Sequence, residues 1–344
     1  MIESDAGVRL RFHRNECALG PPGHVLDAVR GIDAESLRTY PAELQSAFVR
    51  GLANRIRVQP ETVAVGNGAD ELLLALGRAF LAPGDNVVAM TPTFGMYAQM
   101  AAMSRAHTNG VRYERRWSID PERIASRADA RTKLIVVGHP NNPTGDSAPA
   151  SAVEFLANEV PGATIVVDEV YLAFSPSSLV TLASTYPNVA VVGSLSKVAG
   201  LAGMRVGYAV ASADVADALR SAIAPFPLSA ASLIAANAYV NGGPASRAYD
   251  VALYAQVQRS LDAIVAGIGV YARACWRGAG NFVLMDFGDS GARIVTALAA
   301  RGIAVRTFAD PELSGAIRFC AANDEATDEL IRTTRAVLQE QKRA

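Results

Sequence analysis

The sequence predicts an α/β protein: a large unit with a mostly parallel central sheet and helices on both faces, a smaller α+β unit after it, and an extended arm before it. Three observations carry this reading. Between about 60 and 211, short runs rich in β-branched residues alternate with helical patterns, and strand–helix alternation over such a length builds a parallel sheet. The runs are nearly all apolar rather than alternating, as strands covered on both faces are. From about 230 the texture changes to a long Ala-rich helical stretch followed by shorter strands and helices.

Taken in order, the first 35 residues, with GPPG at 20–23, read as an arm and then a short helix. Strands are predicted at 62–67 (TVAVGN), 86–91 (NVVAMT), 133–140 (KLIVVGHP), 164–170 (TIVVDEV), 189–195 (VAVVGSL) and 204–210 (MRVGYAV). Helices such as 70–81 (DELLLALGRAFL) and 151–160 (SAVEFLANEV) fall between them. The Ala-rich helical region runs to about 275. A strand at 281–287, a helix at 292–302, strands at 303–308 and 316–321, and a helix from Asp324 complete the chain. The expected division is an arm at 1–35, a large unit at 36–235 and a small unit at 236–344, for 344 residues exceed one simple core.

Composition narrows the partners. The chain is 50% hydrophobic and 19% charged with a formal net charge of −1, so nothing marks it for nucleic acid or an anionic membrane surface. Cys17, Cys275 and Cys320 lie far apart, as do the four histidines. Neither set has metal-site spacing, and free thiols suit a reducing compartment. The N-terminus lacks the apolar core of a signal peptide. The uncharged stretch 221–240 carries two prolines and is dominated by Ala, a poor bilayer span. A cytoplasmic protein with no metal is expected.

Ligand chemistry in open parallel sheets collects beyond the carboxyl ends of the strands. Four of the six predicted strands end in polar outliers: Gly66-Asn67-Gly68, Asn141-Asn142, Asp168-Glu169 and Ser194 to Lys197. Together they suggest one pocket. GNGADE (66–71) joins a strand to a helix whose N-terminus offers free N–H groups to an anion. A dinucleotide fingerprint would need glycine where Glu71 stands. In HPNNPTG (139–145), Pro143 restricts Asn142 and aims its amide. Asp168 at the end of TIVV is an expensive carboxylate without a positive partner; a buried ion pair and a metal ligand are its rival readings. Lys197, flanked by apolar residues, becomes a usable nucleophile or base if another cation lowers its pKa. Arg205 could be that cation while also clamping a phosphate. Pyridoxal phosphate requires these parts: a Schiff-base lysine, an acid at the ring nitrogen, donors to the phenolate and an anion cradle.

The sequence resembles the class I/II aminotransferases of fold type I, and within them most the histidinol-phosphate aminotransferases. The matching motifs are N-E…G-P-P (15–22), TYP (39–41), GNGADE (66–71), PTFGMY (92–97), NNPTG (141–145), DEVY (168–171), SLSKVAGLAGMRVGY (194–208), APFPLS (224–229) and AIRF (316–319). They run in family order across nearly the whole chain.

The resemblance implies that Lys197 forms the Schiff base and moves the substrate proton, that Asp168 pairs with the pyridinium nitrogen, and that Asn142 and Tyr171 bond the phenolate. It implies that Phe94 stacks on the ring. The phosphate would be held by the N–H groups of Ala69 and Asp70, by Ser194 and Arg205, and by Tyr40 of a partner subunit in a homodimer. Arg318 would grip the substrate carboxylate, and Arg306 matches a second arginine near the substrate anion. The arm departs from the family's N-E-N-P-Y-G: it reads NECALG, with Leu19 where a substrate-facing tyrosine would stand. That favours an apolar or aromatic donor, whereas Arg306 favours a phosphate-bearing one.

The expected reaction is transfer of an amino group between histidinol phosphate or an aromatic L-amino acid and 2-oxoglutarate or another 2-oxo acid. The alternative is a decarboxylase, lyase or cyclase on the same scaffold. A non-catalytic binding relative should have lost the lysine, the aspartate or the phosphate arginine, and all three are present.

Overall fold

A computed structural model describes residues 6–114, 117–175 and 177–343; the first five residues of the expected arm and Ala344 lie outside them. In chain order the strands are β1 (Leu10–Phe12), β2 (Val63–Asn67), β3 (Asn86–Thr91), β4 (His107–Arg112), β5 (Thr132–Gly138), β6 (Thr164–Asp168), β7 (Val189–Ser194), β8 (Val206–Ala211), β9 (Ala274–Trp276), β10 (Phe282–Asp286), β11 (Ile303–Val305) and β12 (Ala316–Cys320). Seven form the large sheet in the order β2-β8-β7-β6-β5-β3-β4. All its strands run one way except β8, which is antiparallel to both β2 and β7. The order doubles back between β5 and β3, the kind of crossing at which strand ends open a crevice.

The apolar runs have a simple cause. Along β5, Ile135 and Val137 pack into the core on one face, while Leu134 and Val136 pack into the core on the other. The same alternation repeats on β6, where Ile165 and Val167 face one way and Val166 the other. Successive side chains of a strand point to opposite faces, so burial on both faces demands an unbroken apolar run. Each fully buried aliphatic contributes roughly 1.5–3 kcal/mol, which makes the sheet a stiff platform for the polar groups at its edge.

Four local differences from the sequence reading have physical reasons. β4 (HTNGVR) is a polar, largely exposed edge strand, so it has no apolar signature. β8 starts at Val206 rather than 204, because Met204 closes a 3₁₀ turn and Arg205 is left-handed at φ 53°. The run at 303–308 is a strand only to Val305, beyond which Arg306 bridges Arg318. The Ala-rich region is two helices, Ala230–Val240 and Gly243–Ile268, broken at Gly242–Gly243 and followed by the short β9.

The second core gathers around the helix Gly243–Ile268, β10, β12 and the terminal helix Asp324–Arg343. β10 lies between β12 and β9, antiparallel to both. The arm joins this unit directly, since β1 pairs in parallel with β11 (Leu10↔Ile303 to Phe12↔Val305). The helix Ala230–Val240 buries Leu233, Ala236 and Tyr239 in the large-sheet core. We therefore propose that the boundary between the units falls at Gly242–Gly243, within the break between the helices.

Candidate active site

The carboxyl ends of β3, β6 and β7 border one cavity of about 710 Å³, closed on the far side by the arm and by residues 306–310 and Arg318. That volume suits a cofactor with a small substrate. Ala69, Asp70, Phe94, Asn142, Asp168, Tyr171, Ser194, Lys197, Arg205, Arg306 and Arg318 all line it. Two expected residues do not. Tyr40 is 83% exposed and stacks on Phe226 with centroids 5.2 Å apart. Leu19 packs against the small-unit core beside Cys17 and Ala18. Leu19 is half-buried there, in a cluster that also holds Tyr171 and Phe282.

Asp168 ends β6 with its side chain buried. One carboxylate oxygen accepts from the Tyr97 hydroxyl at 2.8 Å, the other from the Val170 N–H at 3.1 Å. Burial pushes its pKa up, and the Tyr97 and Val170 bonds oppose this. Glu169, its neighbour, turns away from the cleft: it accepts from the Ser178 hydroxyl at 2.8 Å, and burial raises it to about 7.

Lys197 follows β7 and is half-buried, with its amine donating to the Arg14 carbonyl at 3.0 Å. Burial, and then the charge of Arg318, lower its pKa to about 8. The second cation expected at Arg205 is therefore Arg318. Arg205 lines the same cavity but is not among the groups that shift Lys197; it donates to Asp70 at 3.2 Å and to the Ala202 carbonyl at 3.3 Å. Arg318, on β12, donates to Asn142 Oδ1 at 2.5 Å and to the His13 carbonyl at 2.6 Å. Tyr171 accepts from Asn15 Nδ2 at 2.9 Å and from Asn142 Nδ2 at 3.4 Å.

A cradle is built at close quarters around Arg205. The helix Gly68–Phe80 starts there, and Glu71 caps the Asn67 N–H at 2.5 Å. Ser194 Oγ donates to Ser196 Oγ at 2.9 Å and to the Val206 carbonyl at 3.0 Å. Gly68 has φ 81°, and a Cβ there would collide with the Arg205 guanidinium. The helix N-terminus, two hydroxyls and a guanidinium together suit a phosphate. Gly68→Ala is expected to lose roughly 1–3 kcal/mol of stability to left-handed strain. It should also displace Arg205 and weaken pyridoxal-phosphate affinity severalfold. A thermal melt and an equilibrium titration check this, and unchanged affinity would refute the cradle.

Sequence reasoning missed Tyr97 and Asn15. Tyr97 ends the PTFGMY motif and Asn15 heads the N-E motif, so both lay within view, but nothing along the chain says that their side chains meet Asp168 and Tyr171. Among the described residues no group of His, Cys, Asp or Glu could hold a metal ion. Nor is any described helix long and apolar enough to cross a membrane.

Residues 10–333 match the family model "Aminotransferase class I and II". The chain belongs to the class I and II aminotransferases. A histidinol-phosphate aminotransferase of Shewanella oneidensis is 31% identical over 92% of this chain and 80% of its own length. Histidinol-phosphate aminotransferase 2 of Pseudomonas aeruginosa is 32% identical, over 97% and 90%. Among solved structures, a histidinol-phosphate aminotransferase of Sinorhizobium meliloti in complex with pyridoxal-5′-phosphate superimposes with a TM-score of 0.91 at 25% identity, covering 99% of this chain and 95% of that one. An aspartate aminotransferase of Thermus thermophilus with maleate gives 0.85 at 26% identity, over 96% and 92%.

The fold-type-I architecture expected from sequence is thus established, and this aminotransferase is an enzyme of pyridoxal phosphate. Its residues fit that cofactor. The donors of the cradle, the buried carboxylate of Asp168 and the amine of Lys197 all line the one cavity. Among the described residues Arg318 Nε is buried without a partner, a donor ready for an anionic substrate group.

Proposed function

We propose that this aminotransferase moves an amino group between histidinol phosphate or an aromatic L-amino acid and 2-oxoglutarate or another 2-oxo acid, with Lys197 as the residue that carries the cofactor. The observation that carries the reading is the Lys197 amine: half-buried, lining the same cavity as Asp168, and lowered to about 8 by burial and Arg318. The relatives named above favour the phosphorylated donor. Arg306, which lines the cavity, favours a phosphate-bearing donor as well. The decarboxylase, lyase or cyclase alternative has no support in those relatives.

When bound, pyridoxal phosphate supplies an electron sink for the charge left at the substrate α-carbon. The chain does the rest. Lys197, with much of its population neutral near pH 8, takes a proton on Nζ and returns it nearby, work typically worth about 10²–10⁴-fold in rate. Asp168 would keep a proton on the cofactor's ring nitrogen through its negative charge, and Tyr97 steadies its carboxylate. Asn142 and Tyr171 orient the ring through their side-chain donors, and Phe94, edge-on to Tyr97 at 5.9 Å, bounds the ring face. The N–H groups of Ala69 and Asp70, with Ser194 and Arg205, hold the phosphate. Arg318 and Arg306 hold the substrate anion. Arg318 also touches Asn142, which links substrate binding to ring orientation.

The same reading makes the enzyme a homodimer in which Tyr40 reaches the partner's phosphate. Tyr40, Leu37 at 69% exposure and Phe226 at 39% form an apolar surface that favours such a contact. Unpaired Cys17, Cys275 and Cys320 favour the cytoplasm.

The test is a spectroscopic screen of the purified, cofactor-loaded protein against histidinol phosphate, phenylalanine, tyrosine, glutamate and alanine, without an oxo acid. Histidinol phosphate should convert bound cofactor to its pyridoxamine form fastest. Release of carbon dioxide or an eliminated group with no such conversion would refute transamination.

A further inference from the structure

Residues 13–16 of the arm are held by an unusual row of bonds. The His13 carbonyl accepts from Arg318 at 2.6 Å and the Arg14 carbonyl from Lys197 at 3.0 Å. The Asn15 and Glu16 carbonyls both accept from Asn281 Nδ2, at 3.1 and 3.0 Å. Four successive backbone oxygens thus rest on three side chains that come from other parts of the fold. Within this row Asn15 is left-handed at φ 50°, a conformation that asparagine tolerates better than most residues other than glycine. Its side chain is aimed inward, with Nδ2 donating to the Tyr171 hydroxyl at 2.9 Å.

Two of those three side chains have other tasks on the reading above: Lys197 meets the cofactor and Arg318 the substrate. Asn281 does not line the cleft. It is fully buried just before β10, where its backbone carbonyl accepts from Ala321 N–H at 2.7 Å. Among the described residues its Oδ1 has no partner. A buried amide with an unmet acceptor is costly, and what offsets that cost is the pair of bonds from Nδ2 to the arm. The next residue, Phe282, meets the Tyr171 ring edge-on at 5.2 Å and lies 5.4 Å beneath the Arg318 guanidinium. The entry to β10 therefore touches Tyr171 itself, Arg318 and the arm at Asn15.

We propose that Asn281 is a positioning residue for transamination: it holds Asn15 in its left-handed conformation, and Asn15 in turn fixes the Tyr171 hydroxyl beside Asn142. This rests on the proposed contact between Tyr171 and the cofactor's phenolate oxygen. Burial pushes the Tyr171 phenol up, and Arg318 and the Asn15 amide oppose it. A hydrogen bond received by the phenol oxygen polarises its O–H and makes it a better donor. Without Asn281, Asn15 relaxes, the phenol donates more weakly, and the bound cofactor's phenolate loses support.

A double-mutant cycle tests this. Asn281→Ala, Asn15→Ala and the double variant are compared for the dissociation constant of pyridoxal phosphate and for the pH midpoint of the bound cofactor's visible absorbance. Thermal melts confirm folding. Each single variant should weaken cofactor binding roughly three- to tenfold, the loss of one hydrogen bond, and move the absorbance midpoint upward. The double variant should be no worse than Asn15→Ala within about twofold, because coupled residues do not add. Multiplied losses in the double variant, or wild-type values for Asn281→Ala, would overturn the proposal. If Asn281→Ala does not fold, the cycle is read with Asn281→Ser in the same way. Failure of the wild-type protein to bind pyridoxal phosphate would instead overturn the functional reading, so the two failures are distinct.

Discussion

Lys197→Ala is expected to abolish turnover, with a loss of at least about 10²–10⁴-fold from proton transfer alone. The loss should exceed that of any other single substitution, because the covalent hold on the cofactor goes with it. The protein should still fold. Lys197 is half-buried and its amine donates to the Arg14 carbonyl, so removing it leaves a carbonyl at the edge of a cleft that water can reach. The cradle is untouched, so phosphate-end affinity should survive as reversible binding. The measurement is the visible absorbance of cofactor carried through gel filtration, alongside steady-state rates. A variant that retains the colour and a substantial share of the activity would remove Lys197 from the mechanism.

Asp168→Asn is expected to separate activity from stability. The amide keeps the volume of the carboxyl but cannot hold a proton on the ring nitrogen by charge. Losing one partner of a buried charge pair costs about 3–5 kcal/mol, which is roughly 10²–10⁴-fold in rate. Stability should move the other way. Burial raises the pKa of Asp168 in the folded protein, so ionising it opposes folding at every pH above its ordinary unfolded value. Asparagine removes that penalty: its Oδ1 can keep the Val170 N–H while its amide donates to the Tyr97 hydroxyl oxygen, which can accept as well as donate. The cofactor-free variant should therefore melt at or above the wild-type temperature at neutral pH while kcat collapses. A matching fall in Tm would mean that Asp168 serves the fold rather than the cofactor.

What the sequence made legible follows from what the chain has to bury. β5, β6 and β7 are covered on both faces, so their residues had to be apolar throughout, and the polar residues ending them stood out. β4 is an edge strand with little to bury and left no trace. The candidate site was legible where a motif followed a strand end, at Asn142, Asp168, Tyr171, Ser194 and Lys197, all of which line the one cavity; Arg205, just before β8, was legible from its motif alone. The site was illegible where elements far apart in the chain meet. Arg318, rather than Arg205, depresses the Lys197 amine, a relation set by how β12 packs against the large unit and invisible in the spacing between 197 and 205. Leu19 was placed by alignment to a motif, and it packs against the small-unit core. Asn15 and Asn281 lie 266 positions apart, and only the folded arm joins them.

Three lysines occur in the whole chain, Lys133, Lys197 and Lys342, which makes the decisive measurement clean. The cofactor-loaded protein is treated with borohydride, which fixes any lysine–cofactor bond, then digested and mapped by mass spectrometry. The pyridoxyl mass should appear on the peptide bearing Lys197 alone, and its rate of formation should rise with pH through a midpoint at about 8, where half of the amine is neutral. Label on Lys133 or Lys342 with Lys197 unmodified would contradict the account.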